Sequence, residues 1–282
     1  MKKKSVKITK KMIKKHHHKF HKKKHKKRIK VKKSIIKKLN IIKKISKKIS
    51  TKRIRTGIPN FDSLIQGGLE NNSTNIIVGG AGSGKSIFAT QFLIEGLKRG
   101  EKCLYVTFEE KKSRFYQNML KFGWNLQDYE KKGLFTFLEY TPIKVKTMLE
   151  EGGGTIEALV LSKKITRIVI DSLTSFALLF EDELEKREAA LALFDMIRKW
   201  SCTSLLTLEE EPEEKEKTAS KPLEFESDSI ILLYFKREGE QRKRYLEILK
   251  MRGTKHSKKV YEFVIIANGL SIIGGPIKKF RA

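Results

Sequence analysis

Residues 75–86 read NIIVGGAGSGKS, an apolar run that breaks into a glycine-rich loop and resumes as a helix-forming stretch. Gly79, Gly80, Ala81, Gly82, Ser83, Gly84, Lys85 and Ser86 fit G-x-x-x-x-G-K-[ST], and a strand before with a helix after is the context in which that pattern is a phosphate loop. Each residue type has a task. The glycines let successive backbone N–H groups turn inward around a phosphate, and the helix N-terminus adds positive potential. Lys85 supplies a mobile charge, and the Ser86 hydroxyl can ligate Mg²⁺. Gly80 through Ser86 are therefore the candidate nucleotide-binding residues.

Reading outward, short unbroken apolar runs recur at 75–78, 103–108, 134–138, 168–170, 204–206 and 230–235. Runs of this kind suit strands buried on both faces, as in a parallel sheet. Helical patterns lie between them at 86–99, 111–122 and 184–200. The first shows only Gln91, Glu95 and Lys98 as a thin polar stripe and is ended by Gly100, so it packs against the sheet. From Arg244 the pattern changes to RYLEILK, KVYEFVII and LSII without helices between, with Asn268 and Gly269 as a hairpin turn. The expected fold class is α/β, with a mainly parallel sheet, helices on both faces and antiparallel C-terminal strands.

A nucleotide loop needs a second metal anchor, normally an Asp that ends a neighbouring apolar strand. RIVID supplies one at Asp171, although an Asp there could also simply cap a loop. Hydrolysis further needs a group that orients or deprotonates water. Glu109 and Glu110 close the run CLYVTF, and a carboxylate at the C-terminal end of a parallel strand faces the crevice that holds the phosphate loop. On residues alone, a solvated pair of loop carboxylates is an equal alternative.

Charge divides the chain. Lys and Arg number 62 against 32 Asp and Glu, a formal +30, yet residues 1–55 hold 27 of the basic residues and the first acidic residue is Asp62. The rest carries 35 basic and 32 acidic residues, a net +3. Residues 1–34 have too few apolar side chains to offset chain entropy and are expected to be disordered. Ile35, Leu39, Ile42, Ile45 and Ile49 then recur at helical spacing and predict a short basic amphipathic helix. Such a tail suits nucleic acid or an anionic surface, with an acidic protein partner and a merely solubilising role as the other readings. The tail histidines His16, His17, His18, His21 and His25 make a poor metal site, because the surrounding ammonium groups repel a cation. Two lone cysteines, Cys103 and Cys202, give no disulfide framework, and there is neither an 18-residue apolar span nor the apolar core of a signal peptide, so a cytoplasmic location is expected.

RTGIPNFDSLIQGGLENNS, GGAGSGKS, YVTFEE, IVIDSLTS and KMRGTKHS, in this order, resemble the KaiC-like branch of the RecA superfamily, most nearly its single-domain archaeal type, over about residues 54–274. With the basic tail taken as residues 1–53, the resemblance implies a RecA-like P-loop ATPase domain over 54–282. It implies a homo-oligomeric, hexameric ring with ATP and Mg²⁺ at subunit interfaces, used as a regulatory or signalling switch. It places the water-activating role on Glu109, with Glu110 beside it. It also places Lys250, Met251, Arg252, Thr254 and His256 at the neighbouring subunit's nucleotide. Lys250 and Arg252 lie two apart on an expected strand, so both can point to one face. The loop lacks the proline often found in the family, and Glu70-Asn71-Asn72 stand where a proline-containing link is usual; neither change removes the glycines or Lys85. One copy of the core is present, so a two-core clock protein and its autophosphorylation site are not expected. Two other readings stay open. One is a non-catalytic, ATP-dependent assembly module. The other is a RecA- or RadA-like DNA-handling ATPase, against which segment 209–228 carries nine acidic residues and three lysines where DNA would lie.

Overall fold

The computed structural model describes residues 52–141, 144, 147, 154–212, 226–278 and 280. The chain divides into two compact units, Met1–Thr51 and Lys52–Ala282. The tail, its expected amphipathic helix and its histidines lie outside the described residues, as does most of the acidic segment. No helix among the described residues is long and apolar enough to cross a membrane.

In chain order the elements are β1 (Arg53–Ile54), α1 (Phe61–Leu64), β2 (Leu69–Glu70), β3 (Thr74–Gly79), α2 (Lys85–Lys98), β4 (Cys103–Thr107), α3 (Lys112–Leu120), α4 (Leu126–Lys131), β5 (Phe135–Glu139), α5 (Gly154–Lys163), β6 (Arg167–Asp171), α6 (Leu173–Ala177), α7 (Glu183–Lys199), β7 (Thr203–Glu209), β8 (Ser229–Glu238), β9 (Gln241–Met251), β10 (Tyr261–Ile266) and β11 (Gly269–Pro276). Nine strands form one sheet in the order β11-β10-β9-β8-β3-β7-β6-β4-β5. From β8 to β5 all neighbours are parallel, and β9, β10 and β11 add on antiparallel. The α/β architecture expected from the sequence is the one observed.

Alternation along the central strands divides the core into two layers. Ile77, Tyr105, Val169 and Leu205 face α2, while Ile76, Val78, Leu104, Ile168 and Leu206 face α7. Helix α2 is buried on nearly every side, with Phe88, Phe92 and Leu93 fully covered, each burial worth about 1.5–3 kcal/mol. Of its thin polar stripe only Lys98 is exposed, and Glu95 is half-buried. Gln91 is buried and donates to the carbonyls of Gly57 and Leu270 (3.0 and 3.1 Å) while accepting from the Leu270 amide (2.7 Å), so it bolts β11 across the helix. Gly100, at φ +75°, ends the helix, with its amide on Leu97 O and that of Glu101 on Gly96 O, the double bond of a Schellman cap.

The hairpin turn falls one residue earlier than the sequence suggests. Ile266 pairs with Gly269, leaving Ala267 and Asn268 as the loop, while Gly269 at φ +108° opens β11. A Cβ on Gly269 would stand 2.4 Å from Gln91 Oε1 and 2.6 Å from Trp124, so glycine is needed there for close approach as well as for the turn.

Arg167, which sequence reading treats only as the residue opening the RIVID strand, is the largest fully buried side chain of the described residues. Its guanidinium donates to both Glu101 oxygens (2.7 and 3.0 Å) and to the carbonyls of Arg55 and Phe92 (2.8 and 2.7 Å), and lies 4.7 Å from the Phe92 ring centre. Burial pushes the Glu101 carboxyl up, but the Arg167 bonds outweigh it and hold the group below its ordinary value. A depressed carboxylate stabilises the fold above its unfolded pKa and loses that contribution as pH falls through the folded one. Arg167→Met is expected to cost about 3 kcal/mol in urea unfolding, because it strands a half-buried carboxylate. The deficit should shrink at acid pH as Glu101 protonates.

Candidate functional site

The C-terminal ends of β3, β4, β6 and β7 and the start of α2 enclose a cleft of about 460 Å³. Its floor is the phosphate loop. β3 is buried along its whole length between β7 and β8, and the chain leaves it through Gly79, where a Cβ would stand 2.5 Å from Leu233 O on β8. Gly82 and Gly84 take φ +72° and +107°, left-handed values that turn the loop into α2. No side chain caps the α2 N-terminus, so its first N–H groups keep the positive end of the helix dipole toward the cleft.

Lys85 is buried. Its ammonium donates to the carbonyls of Gly79 and Gly80 (2.8 and 2.9 Å), and its nearest anion, Glu209, is 3.8 Å away. Burial pulls the Lys85 pKa down, partly offset by Glu209, Asp171, Glu211 and Glu109. A cation held out of water with carbonyls as its close partners is poised for an anion stronger than any in the chain.

Ser86 and Asp171 line the same cleft. Asp171 ends β6 and accepts hydrogen bonds from the Tyr105 hydroxyl on Oδ2 and from the Thr207 hydroxyl on Oδ1. Burial, then the Asp171 charge, raises the Tyr105 phenol well above its ordinary value, so it remains a donor. Among the described residues no cluster of three or more His, Cys, Asp or Glu could cage a metal. One carboxylate, one hydroxyl and a substrate's phosphates suit Mg²⁺, which keeps its waters and seldom takes an all-protein cage.

The two glutamates separate. Thr107 Oγ accepts from the amides of both, fixing the turn after β4. Glu109 is then held from the α6 side, by the hydroxyls of Ser172 (2.8 Å) and Ser175, next to Asp171. Glu110 is held from α3, by Asn118 (3.0 Å) with Arg114 at 4.0 Å. Both line the cleft, but only Glu109 bonds the serines that follow Asp171.

The structure brings Ala81, Gly82, Gly84, Lys85, Ser86, Glu109, Glu110 and Asp171 to one cleft and leaves Lys250, Met251, Arg252, Thr254 and His256 off its wall. Arg252 lies just past the end of β9, not on the strand as expected. The β8–β9 register slips between Ile230, opposite Lys250, and Ile231, opposite Ile248. That bulge reverses which face follows, so Met251 packs into the core. Lys250 donates to Ser227 O (2.7 Å), and Arg252 lies 3.7 Å from Asp228. The Thr254 hydroxyl accepts from Arg53 (2.7 Å), and His256 Nδ1 contacts Ser257 O (2.9 Å).

A family model described as ATPase: KaiC matches residues 54–276. The chain belongs to the KaiC ATPase family. The circadian clock protein KaiC3 of Synechocystis sp. is 36% identical over 230 residues, 79% of this chain and 46% of that protein, so the chain spans about half the length of such relatives. The UPF0273 protein PH0284 of Pyrococcus horikoshii is 31% identical over 242 residues, 81% of this chain and 97% of its own length. The crystal structure of the KaiC-like protein PH0186 from Pyrococcus horikoshii OT3 superposes with a TM-score of 0.72 at 34% identity, covering 79% of this chain and all of the other.

Sequence reading missed Arg244. It extends from β9 over the loop of this KaiC-family domain, donates twice to Gly82 O (3.1 Å each) and stacks 4.2 Å from the Phe235 ring centre. Ile265 lines the same rim. Its one sequence signal, an Arg in a strand otherwise reading as sheet, does not reveal that register places it opposite Phe235. Arg244→Ala is expected to weaken binding of a fluorescent ATP analogue about 10-fold, the worth of a lost charge-assisted bond at the loop. Global stability should stay near wild type.

Proposed function

We propose that the chain is a Mg²⁺-dependent ATPase whose cleft binds ATP by its phosphates and hydrolyses it, working in a homo-oligomeric ring as a regulatory switch. The observation that carries this is the buried Lys85 ammonium on the floor of a cleft that Ser86, Glu109 and Asp171 also line. In this reading Lys85, the loop amides and the α2 N-terminus take the phosphate charge. Ser86 and Asp171 would hold Mg²⁺, which neutralises the phosphate oxygens and completes an otherwise acid-rich site. Glu109 accepts a proton from water as the water oxygen bonds to the terminal phosphorus and the bond to the bridging oxygen breaks, giving ADP and phosphate. Ser172 and Ser175 hold that carboxylate on the Asp171 side. Arg244, Phe235 and Ile265 form a rim suited to a planar base.

Ring assembly is supported by where the KMRGTKH segment lies. Lys250, Arg252, Thr254 and His256 are off their own cleft wall, as groups serving a neighbour's nucleotide would be, in the manner of an arginine finger. Lys85→Ala should abolish ATP binding, and Glu109→Gln should keep it while turnover falls at least 100-fold, both read by nucleotide titration and phosphate release. Full turnover in the Gln variant removes Glu109 from its role. Tight ATP binding with no turnover in the wild type favours the assembly-module reading.

A second activity is supported by the uncompensated charge of residues 1–55. The polycationic tail would bind nucleic acid through phosphates, with little sequence preference. Acidic residues 209–211 stand beside the phosphate loop, where Glu209 faces Lys85 and Glu211 crowds Gly80, so DNA would lie on the tail and not in a ring pore. A chain beginning at Thr51 should lose most DNA affinity and most of its salt dependence in a titration with a random duplex. Unchanged affinity would exclude the tail.

A further inference from the structure

We propose that the Tyr105 hydroxyl is a positioning group for Asp171, one of the two protein ligands of the metal; this rests on the magnesium reading above. Nothing in the phosphate-loop pattern requires a tyrosine on β4. Its ring alone would be satisfied as phenylalanine, packed 4.4 Å from Phe115 and 5.6 Å from Phe137 by ring centres, in a position only 1% exposed. β4 and β6 run parallel with Tyr105 beside Val169 and Thr107 beside Asp171. The phenol therefore starts two residues below Asp171 and spans that step along the α2-facing side of the sheet.

At its tip the phenol oxygen stands 2.5 Å from Asp171 Oδ2. A carboxylate only accepts, so the phenol proton goes to Asp171. The phenol fixes Asp171 through Oδ2 while Thr207 fixes it through Oδ1, so neither carboxylate oxygen rotates freely, and each retains a lone pair. Outer groups of this kind orient metal ligands, and their loss typically weakens metal binding 10- to 100-fold. With phenylalanine at 105, Asp171 Oδ2 would lose its fixed donor.

The test is Tyr105→Phe in the full chain, which deletes one oxygen and keeps the ring. Mn²⁺ serves as the probe, its binding read by electron paramagnetic resonance with a non-hydrolysable ATP analogue present; analogue affinity in EDTA and the thermal midpoint are measured alongside. The expected result is Mn²⁺ affinity about 10-fold weaker, with metal-free analogue affinity and the midpoint near wild type. The Tyr105→Phe, Asp171→Asn double variant should bind Mn²⁺ no more weakly than Asp171→Asn alone, because the phenol acts through that carboxylate. Unchanged Mn²⁺ affinity in the Phe variant, while Asp171→Asn weakens it, overturns the positioning role. Equal loss of metal-free analogue affinity, or additive losses in the double variant, also overturns it and leaves Tyr105 a packing residue. If Asp171→Asn leaves Mn²⁺ binding intact, the magnesium reading itself has failed.

Discussion

The burial of one ammonium group governs how the C-terminal edge of this sheet is built. Lys85 begins α2 on the floor of the cleft, where it is largely screened from water, and removing its charge from solvent costs free energy that the surroundings offset. Carbonyls of the loop supply part of that. The rest comes from carboxylates that approach without touching, Glu209, Asp171, Glu211 and Glu109, whose fields support the charged form. Three of them sit at or just beyond the ends of β4, β6 and β7. Strand order β3-β7-β6-β4 therefore does more than bury apolar side chains: it gathers acids around one base. A phosphate entering such a site meets a well-placed cation, a helix N-terminus and an excess of negative charge. That excess is what a divalent metal would neutralise, so phosphate and metal are best accommodated together.

The same electrostatics explain why whole-chain charge misleads. A formal +30 suggests a protein built for polyanions, yet the body is close to neutral and concentrates acid at its cleft. The acidic run that starts at the end of β7 begins against the phosphate loop, with Glu211 so close to Gly80 that any side chain there would meet its carboxylate. Uncompensated base is thus confined to residues 1–55, while acid gathers around the cleft. A polyanion would be drawn to one and repelled from the other.

What was legible in the sequence was contiguous. The loop, the apolar strands, Asp171 at the end of RIVID and the paired glutamates each announce themselves within a few residues, because backbone turns and strand ends are local events. Arg167, Gln91, Tyr105 and Arg244 were not legible, because each acts across elements. Arg167 matters through carbonyls and a carboxylate contributed by three other segments, Gln91 through a strand 179 positions later, and Tyr105 through a carboxylate on the adjacent strand. Their roles depend on register, which pattern and composition do not specify.

Register also decides what β9 can do. From Arg244 through Leu246 to Ile248, alternate residues face α2 and the phosphate loop, and unbroken alternation would have turned Lys250 into that same layer. The bulge opposite Ile230 and Ile231 inserts one residue, Leu249, and hands the inward position to Met251. Lys250 and Arg252 are then set toward the Ser227–Asp228 turn instead of the core. One strand consequently carries an arginine for its own loop and, one bulge later, basic groups facing away from it. In the proposed ring of like subunits, that division would let the near end of the strand serve the subunit's own cleft and the far end serve a neighbour's.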